Sequence, residues 1–217
     1  IPLSPEGEMQ VRLLGERLRE IEIAVAISSP LSRARSTAEA ILTGRQLELE
    51  LDDGLLEISH GQWEGKLASD VALSHTEMFG VWRSAPGRNS PAGPHAETLG
   101  DVEERAWAVL ERAWMRLQGE QTLLITAHDA VNRVILCRVL GLPLERVWRF
   151  RQAPAALNIL SGPSLDDLQI VRLNDRLTTL FLVDLSQSIP REKIEPMLNY
   201  VRQSTLEHRG AEDLAGM

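Results

Sequence analysis

The chain has 217 residues, 43% of them hydrophobic, and sets 23 Lys and Arg against 31 Asp and Glu for a formal net charge of −8. It is long enough to bury a core without disulfides or metal staples, and one domain is the default. The acidic balance and scattered basic residues argue against a nucleic-acid partner, while Cys137, the only cysteine, cannot form an intrachain disulfide and so fits a reducing cytoplasm.

No run approaches the roughly 18 apolar residues of a membrane span, and no basic-then-apolar leader opens the chain, so a soluble, cytoplasmic protein with no membrane partner is expected. Ile1 is not a translation start, and "IPLSPEGEMQ" reads as the end of a loop entering a helix. A segment upstream of Ile1 is therefore expected. Ser4, Pro5 and Glu6 mark the helix start: a capping oxygen, a proline where no donor is needed, an early acid. "IEIAVAIS", 21–28, is short and apolar enough for a strand covered on both sides, and "SRARSTAEAIL" returns to helical character. A looser stretch, 45–66, ends in "LLEISHGQWEGK". Residues 67–82 are predicted helical, and 84–97 form a Pro/Gly-rich loop.

From Thr98 to Leu117, Val102, Trp107, Leu110, Trp114 and Leu117 fall mostly at helical spacings, which predicts a long amphipathic helix. "TLLIT", 122–126, is the clearest strand, and "AVNRVILCRVLG" the helix after it, stopped by Gly141 and Pro143. "ALNIL" and "LQIVRLN" predict two further strands joined by a turn. Strands alternating with helices predict an α/β fold, doubly wound, with a mainly parallel sheet and helices on both faces. That domain is expected over 1–185, with a helical tail over 186–217.

In such a sheet the strand-to-helix turns share one edge, where ligands meet helix N-termini. "SSPLSRAR" and "TAHDAVNR" both reach that edge, so Arg33 and His128 can converge from segments almost a hundred residues apart. A guanidinium fork and an imidazole beside backbone N–H groups suit a phosphate. Taken alone, a lone histidine after a strand is more often structural and a lone arginine more often a surface charge.

The segments "SSPLSRARSTAEAI", "LLEISHGQWEGK" and "LLITAHDAVNRVIL" occur in the order and spacing of the histidine phosphatase superfamily, the phosphoglycerate mutase-like proteins, which the chain resembles over about residues 2–160. The resemblance implies phosphoryl transfer through a phosphohistidine. It makes Arg33 a phosphate clamp, His128 the second histidine, donating to the phosphoryl oxygens, and Glu57 the proton donor to the leaving alkoxide. Glu97 ranks second as acid or substrate contact, with an N-terminal helix acid as its plain alternative. Ser29 is a candidate substrate hydroxyl, with a simple turn role as the alternative. Asp129, where the family usually has Gly, either faces the substrate or caps the helix at Ala130, and the cap is favoured. His60 is expected to be a loop histidine and Trp63 a packing anchor.

The family's nucleophile lies in an Arg-His-Gly tripeptide that this sequence lacks. It is expected upstream of Ile1, so that the chain alone is inactive; a non-catalytic phospho-ligand-binding relative is the alternative. The function implied is a phosphatase acting on a small phosphorylated metabolite, with mutase-type transfer as a further alternative, because "EISHGQWEG" looks more like the phosphatase branches. No cofactor and no metal are expected, and a homodimer is the assembly envisaged. A Ser-His-Asp hydrolase would need a G-x-S-x-G elbow, which is absent.

Overall fold

A computed structural model describes residues 2–175. The helical tail expected over 186–217 lies outside the described residues. The chain opens on helix α1 (Pro5–Arg17), whose N-cap Ser4 accepts from the Gly7 N–H. Strand β1 (Val25–Ser28) and helix α2 (Ser32–Leu42) follow. Strand β2 (Leu49–Leu51) lies inside the looser stretch 45–66. Helices α3 (Ala68–Ser74) and α4 (Thr76–Ser84) replace the single helix expected over 67–82, the break falling at His75.

Helix α5 (Leu99–Trp114) begins with a capping box: the Asp101 N–H donates to Thr98 Oγ1 at 3.1 Å, and the Thr98 N–H donates back to the Asp101 carboxylate at 2.9 Å. Strand β3 (Leu123–Thr126) leads into helix α6 (Asp129–Val139). Strands β4 (Leu157–Ser161) and β5 (Gln169–Asp175) close the described chain as an antiparallel pair.

The three parallel strands are ordered β2-β1-β3, with Val25 opposite Leu123 and Ser28 opposite Thr126. Parallel neighbours need crossover connections, here helical, and these cover the sheet on both faces. Side chains alternate accordingly. Val25, Ile27, Leu123 and Ile125 join the large core built around α5 and α6, while Leu124 packs with Leu14, Leu18 and Ile41 from α1 and α2. On that second face the helices approach closely: a Cβ on Gly15 would stand 2.5 Å from the Ala40 carbonyl oxygen, so only glycine fits.

The β4-β5 pair is a separate sheet. Leu157 of β4 nevertheless reaches the same small cluster as Leu124 of β3. Among the described residues, β3 pairs on one side only. Its burial reflects this: β1 is buried at all four positions, β3 only at Thr126.

Candidate active site

Ser28 and Ser29 end β1, and Thr126 to His128 end β3, on the carboxyl edge of the parallel sheet. Parallel register forces this meeting, because Ser28 pairs with Thr126 and the two chains turn into α2 and α6 side by side. His128 Nε2 and Ser29 Oγ lie 2.8 Å apart in a hydrogen bond across 99 residues of sequence. Ser29 is fully buried and its hydroxyl also accepts from the Leu31 N–H. It is thus turned to His128 and its own turn.

His128 is 6% exposed. Burial, then the positive charges of Arg33 and Arg105, push its pKa down to about 4, so the imidazole is neutral near pH 7. Arg33 forms no ion pair among the described residues, and its charge reaches both His128 and Glu57. An unneutralised guanidinium beside a neutral imidazole is a site prepared for an anion.

Glu57 arrives from a third segment, just after the 3-10 turn Asp53–Leu55. Its Oε1 accepts from the Ile58 N–H at 3.0 Å and from the Ala130 N–H of α6 at 3.3 Å. Its pKa is raised, chiefly by burial, with the charge of Asp129 adding to the effect against the two backbone donors. Glu57 therefore fills the capping place that the sequence offered to Asp129. Asp129 makes no capping bond at all: its two carboxylate oxygens each accept from Arg133 Nε at 2.9 Å. Helix geometry brings residues four apart together, and here that contact outcompetes the cap.

Glu97 is engaged elsewhere. One carboxylate oxygen accepts from Arg105 Nε at 2.8 Å, and the other from the Ser59 N–H at 2.9 Å and Arg105 Nη2 at 3.1 Å. Arg105 also donates to the carbonyls of Gly54 and Glu57, so it knots α5 to the segment that carries the acid. Nothing in the sequence singled Arg105 out, since it reads as one polar position on an amphipathic helix. His60 hydrogen-bonds the Ala92 carbonyl through Nδ1, and Trp63 is buried edge-on to Phe79 and His75. Gly61, at φ 54°, lets this loop press on the next: a Cβ there would meet the Pro94 carbonyl at 2.3 Å.

Of two cavities, the first reaches the site through Asp129. It is about 320 Å³ and is lined by Asp129, Arg133, Arg83, Arg151, Trp148 and Phe150. The other, of about 530 Å³, is lined by side chains that include Trp63, Phe79 and Trp82. Among the described residues no helix is long and apolar enough to cross a membrane.

The chain is similar to known proteins along most of its length. The phosphoserine phosphatase 1 of Hydrogenobacter thermophilus is 32% identical over 158 residues, 73% of this chain and 74% of that protein. The adenosylcobalamin/alpha-ribazole phosphatase of Escherichia coli is 28% identical over 151 residues, 69% of this chain and 72% of its own length. The solved structure of YhfR from Bacillus stearothermophilus superposes with a TM-score of 0.74 at 27% identity, covering 80% of this chain and 85% of that one. Residues 1–176 match the histidine phosphatase superfamily, branch 1, and the chain belongs to that family.

Proposed function

We propose that the protein is a metal-independent phosphatase that hydrolyses a small phosphorylated metabolite through a phosphohistidine. The observation that carries this reading is the meeting of His128 and Glu57 at the start of α6, a helix whose N-cap residue makes no side-chain capping bond, with Arg33 in the first turn of α2 within electrostatic reach of both. Arg33 holds the phosphoryl oxygens and neutral His128 donates to them as charge develops. The attacking histidine nitrogen forms a bond to phosphorus as the ester bond breaks, and Glu57, whose burial raises its pKa and favours the protonated form, gives its proton to the departing alkoxide. Water then attacks the phosphohistidine, losing a proton to the Glu57 carboxylate, and releases phosphate. The leaving alcohol lies in the cavity beside Asp129. The relatives are named for phosphoserine and alpha-ribazole esters, and a small phosphomonoester is the class common to them.

The attacking histidine belongs to a segment upstream of Ile1 in this reading. His60 and His75 are held in ring and backbone contacts of the loop region, away from this pairing. Among the described residues two features support a further strand beside β3: β3 is unpaired on one side, and the buried Thr126 hydroxyl at its carboxyl end has no hydrogen-bond partner. The test is to recover the natural sequence before Ile1, express the full-length protein and assay a panel of phosphomonoesters. An Arg-His-Gly shortly before Ile1 together with turnover supports the reading, whereas a start codon with no such motif sinks it. In that protein Arg33→Ala weakens inhibition by vanadate about 30-fold, the worth of a lost charge-assisted bond; unchanged inhibition contradicts the clamp.

A further inference from the structure

Asp129 puts a carboxylate one residue from His128, at the mouth of a site that assembles positive charge. Its charge is felt by Glu57, so it lies within electrostatic reach of the reacting groups. A dianionic phosphate entering beside a loose carboxylate would be repelled. The carboxylate is not loose. Each of its oxygens accepts from Arg133 Nε at 2.9 Å, and among the described residues no other hydrogen bond holds it.

Exposed ion pairs four residues apart on a helix contribute little, because both side chains are free to leave. This pair differs in its arginine. The Arg133 side chain is 10% exposed against 47% for Asp129. Its Nη1 donates to the carbonyls of Val147 and Phe150, and its guanidinium carbon lies 5.1 Å from the Trp148 ring centroid and 5.7 Å from that of Phe150. Trp148 is fixed in turn, its Nε1 donating to the Trp82 carbonyl at 2.7 Å and its ring set edge-on to Trp82. The cation is therefore anchored, and the acid comes to it.

We infer that Arg133 is a positioning residue of the phosphate site: it neutralises Asp129 and holds that carboxylate back along α6, away from the place a phosphate takes beside His128 and Arg33. The inference rests on the phosphatase reading for the identity of the occupant. It separates Arg133 from two other roles, a direct phosphate ligand and a mere packing element, because only a guard on Asp129 becomes dispensable once Asp129 is uncharged.

The experiment is calorimetric titration of inorganic phosphate into the full-length protein and its variants. Arg133→Gln is expected to weaken phosphate binding at least tenfold, and Asp129→Asn added to Arg133→Gln to restore it to within about threefold of the parent. If Arg133→Gln does not fold, Arg133→Lys takes its place, since a single ammonium cannot serve Asp129 and two carbonyls from one planar fork; a smaller loss, again restored by Asp129→Asn, is expected. No loss in the folded variant, or a loss that Asp129→Asn fails to restore, overturns the inference, as does a parent protein that binds no phosphate. Phosphate binding with this restoration, but no turnover of any ester, leaves the inference standing and sinks the phosphatase reading alone.

Discussion

Helices α1 and α5 begin differently from α2 and α6. The first pair cap themselves, α1 with Ser4 and α5 with the Thr98–Asp101 box. The second pair start at Leu31 and His128 with no side-chain capping bond. At α6 the Ala130 N–H is met by Glu57, 73 residues away in sequence, and Ser29, which precedes α2, meets His128 at the other helix start. A missing cap is not itself the signal, because the short α3 and α4 lack one too. What distinguishes α2 and α6 is the missing cap together with a parallel register that sets their starts side by side. Local capping stabilises a helix by itself, whereas helix starts kept open at the sheet edge serve an anion.

Substitutions at the two kinds of helix start should therefore separate activity from stability. The largest effect is expected for His128→Ala, which lowers turnover by about 10³-fold in the full-length protein, as removal of one transition-state donor does; steady-state assay of any cleaved ester checks it. Glu57→Gln follows, with a loss of about 10²-fold on alkyl phosphates and much less on aryl phosphates, whose leaving groups need no proton. Equal losses on both would remove Glu57 as the acid.

The site also carries a stability cost that the capped helices do not. Unfolded, the imidazole of His128 takes up a proton near 6.5; folded, it does so only near 4. Between those values acid favours the unfolded chain, so stability is full above about pH 6.5 and falls as pH drops toward 4, by at most about 3 kcal/mol. Urea midpoints between pH 7 and pH 4.5 read this slope, and His128→Gln should flatten it. The smallest effect belongs to the other class: Thr98→Ala costs about 1 kcal/mol of stability through the lost box. Thermal unfolding measures it, and turnover per folded molecule should stay at the parent value.

Most of this frame is legible in the residues. Ser4-Pro5 announces α1, helical spacing announces α5, and the apolar runs ending at Ser28 and Thr126 announce the two strands whose turns meet. Strand β2 escaped because Leu49–Leu51 is three residues long, flanked by acids, and becomes a strand only by pairing with β1. The break at His75 escaped because apolar spacing runs on through a helix end that tertiary contacts impose. Topology alone brings Arg33 and His128 to one sheet edge, whereas Glu57 is legible only through the resemblance of its motif. Arg105 and the Asp129–Arg133 pair were not, since a charged residue on a helix face has the same one-dimensional signature whether it meets water or a carboxylate.

The unpaired side of β3 has a consequence for handling the molecule. Among the described residues, the backbone N–H and C=O groups on the side of Leu123–Thr126 away from β1 pair with no strand, and such an edge is a template for any extended segment of suitable register, including the same strand of a neighbouring copy. Its own alternatives to a correct neighbour are self-association and aggregation, and these grow with concentration. Any segment that pairs there also protects the sheet from its own edge.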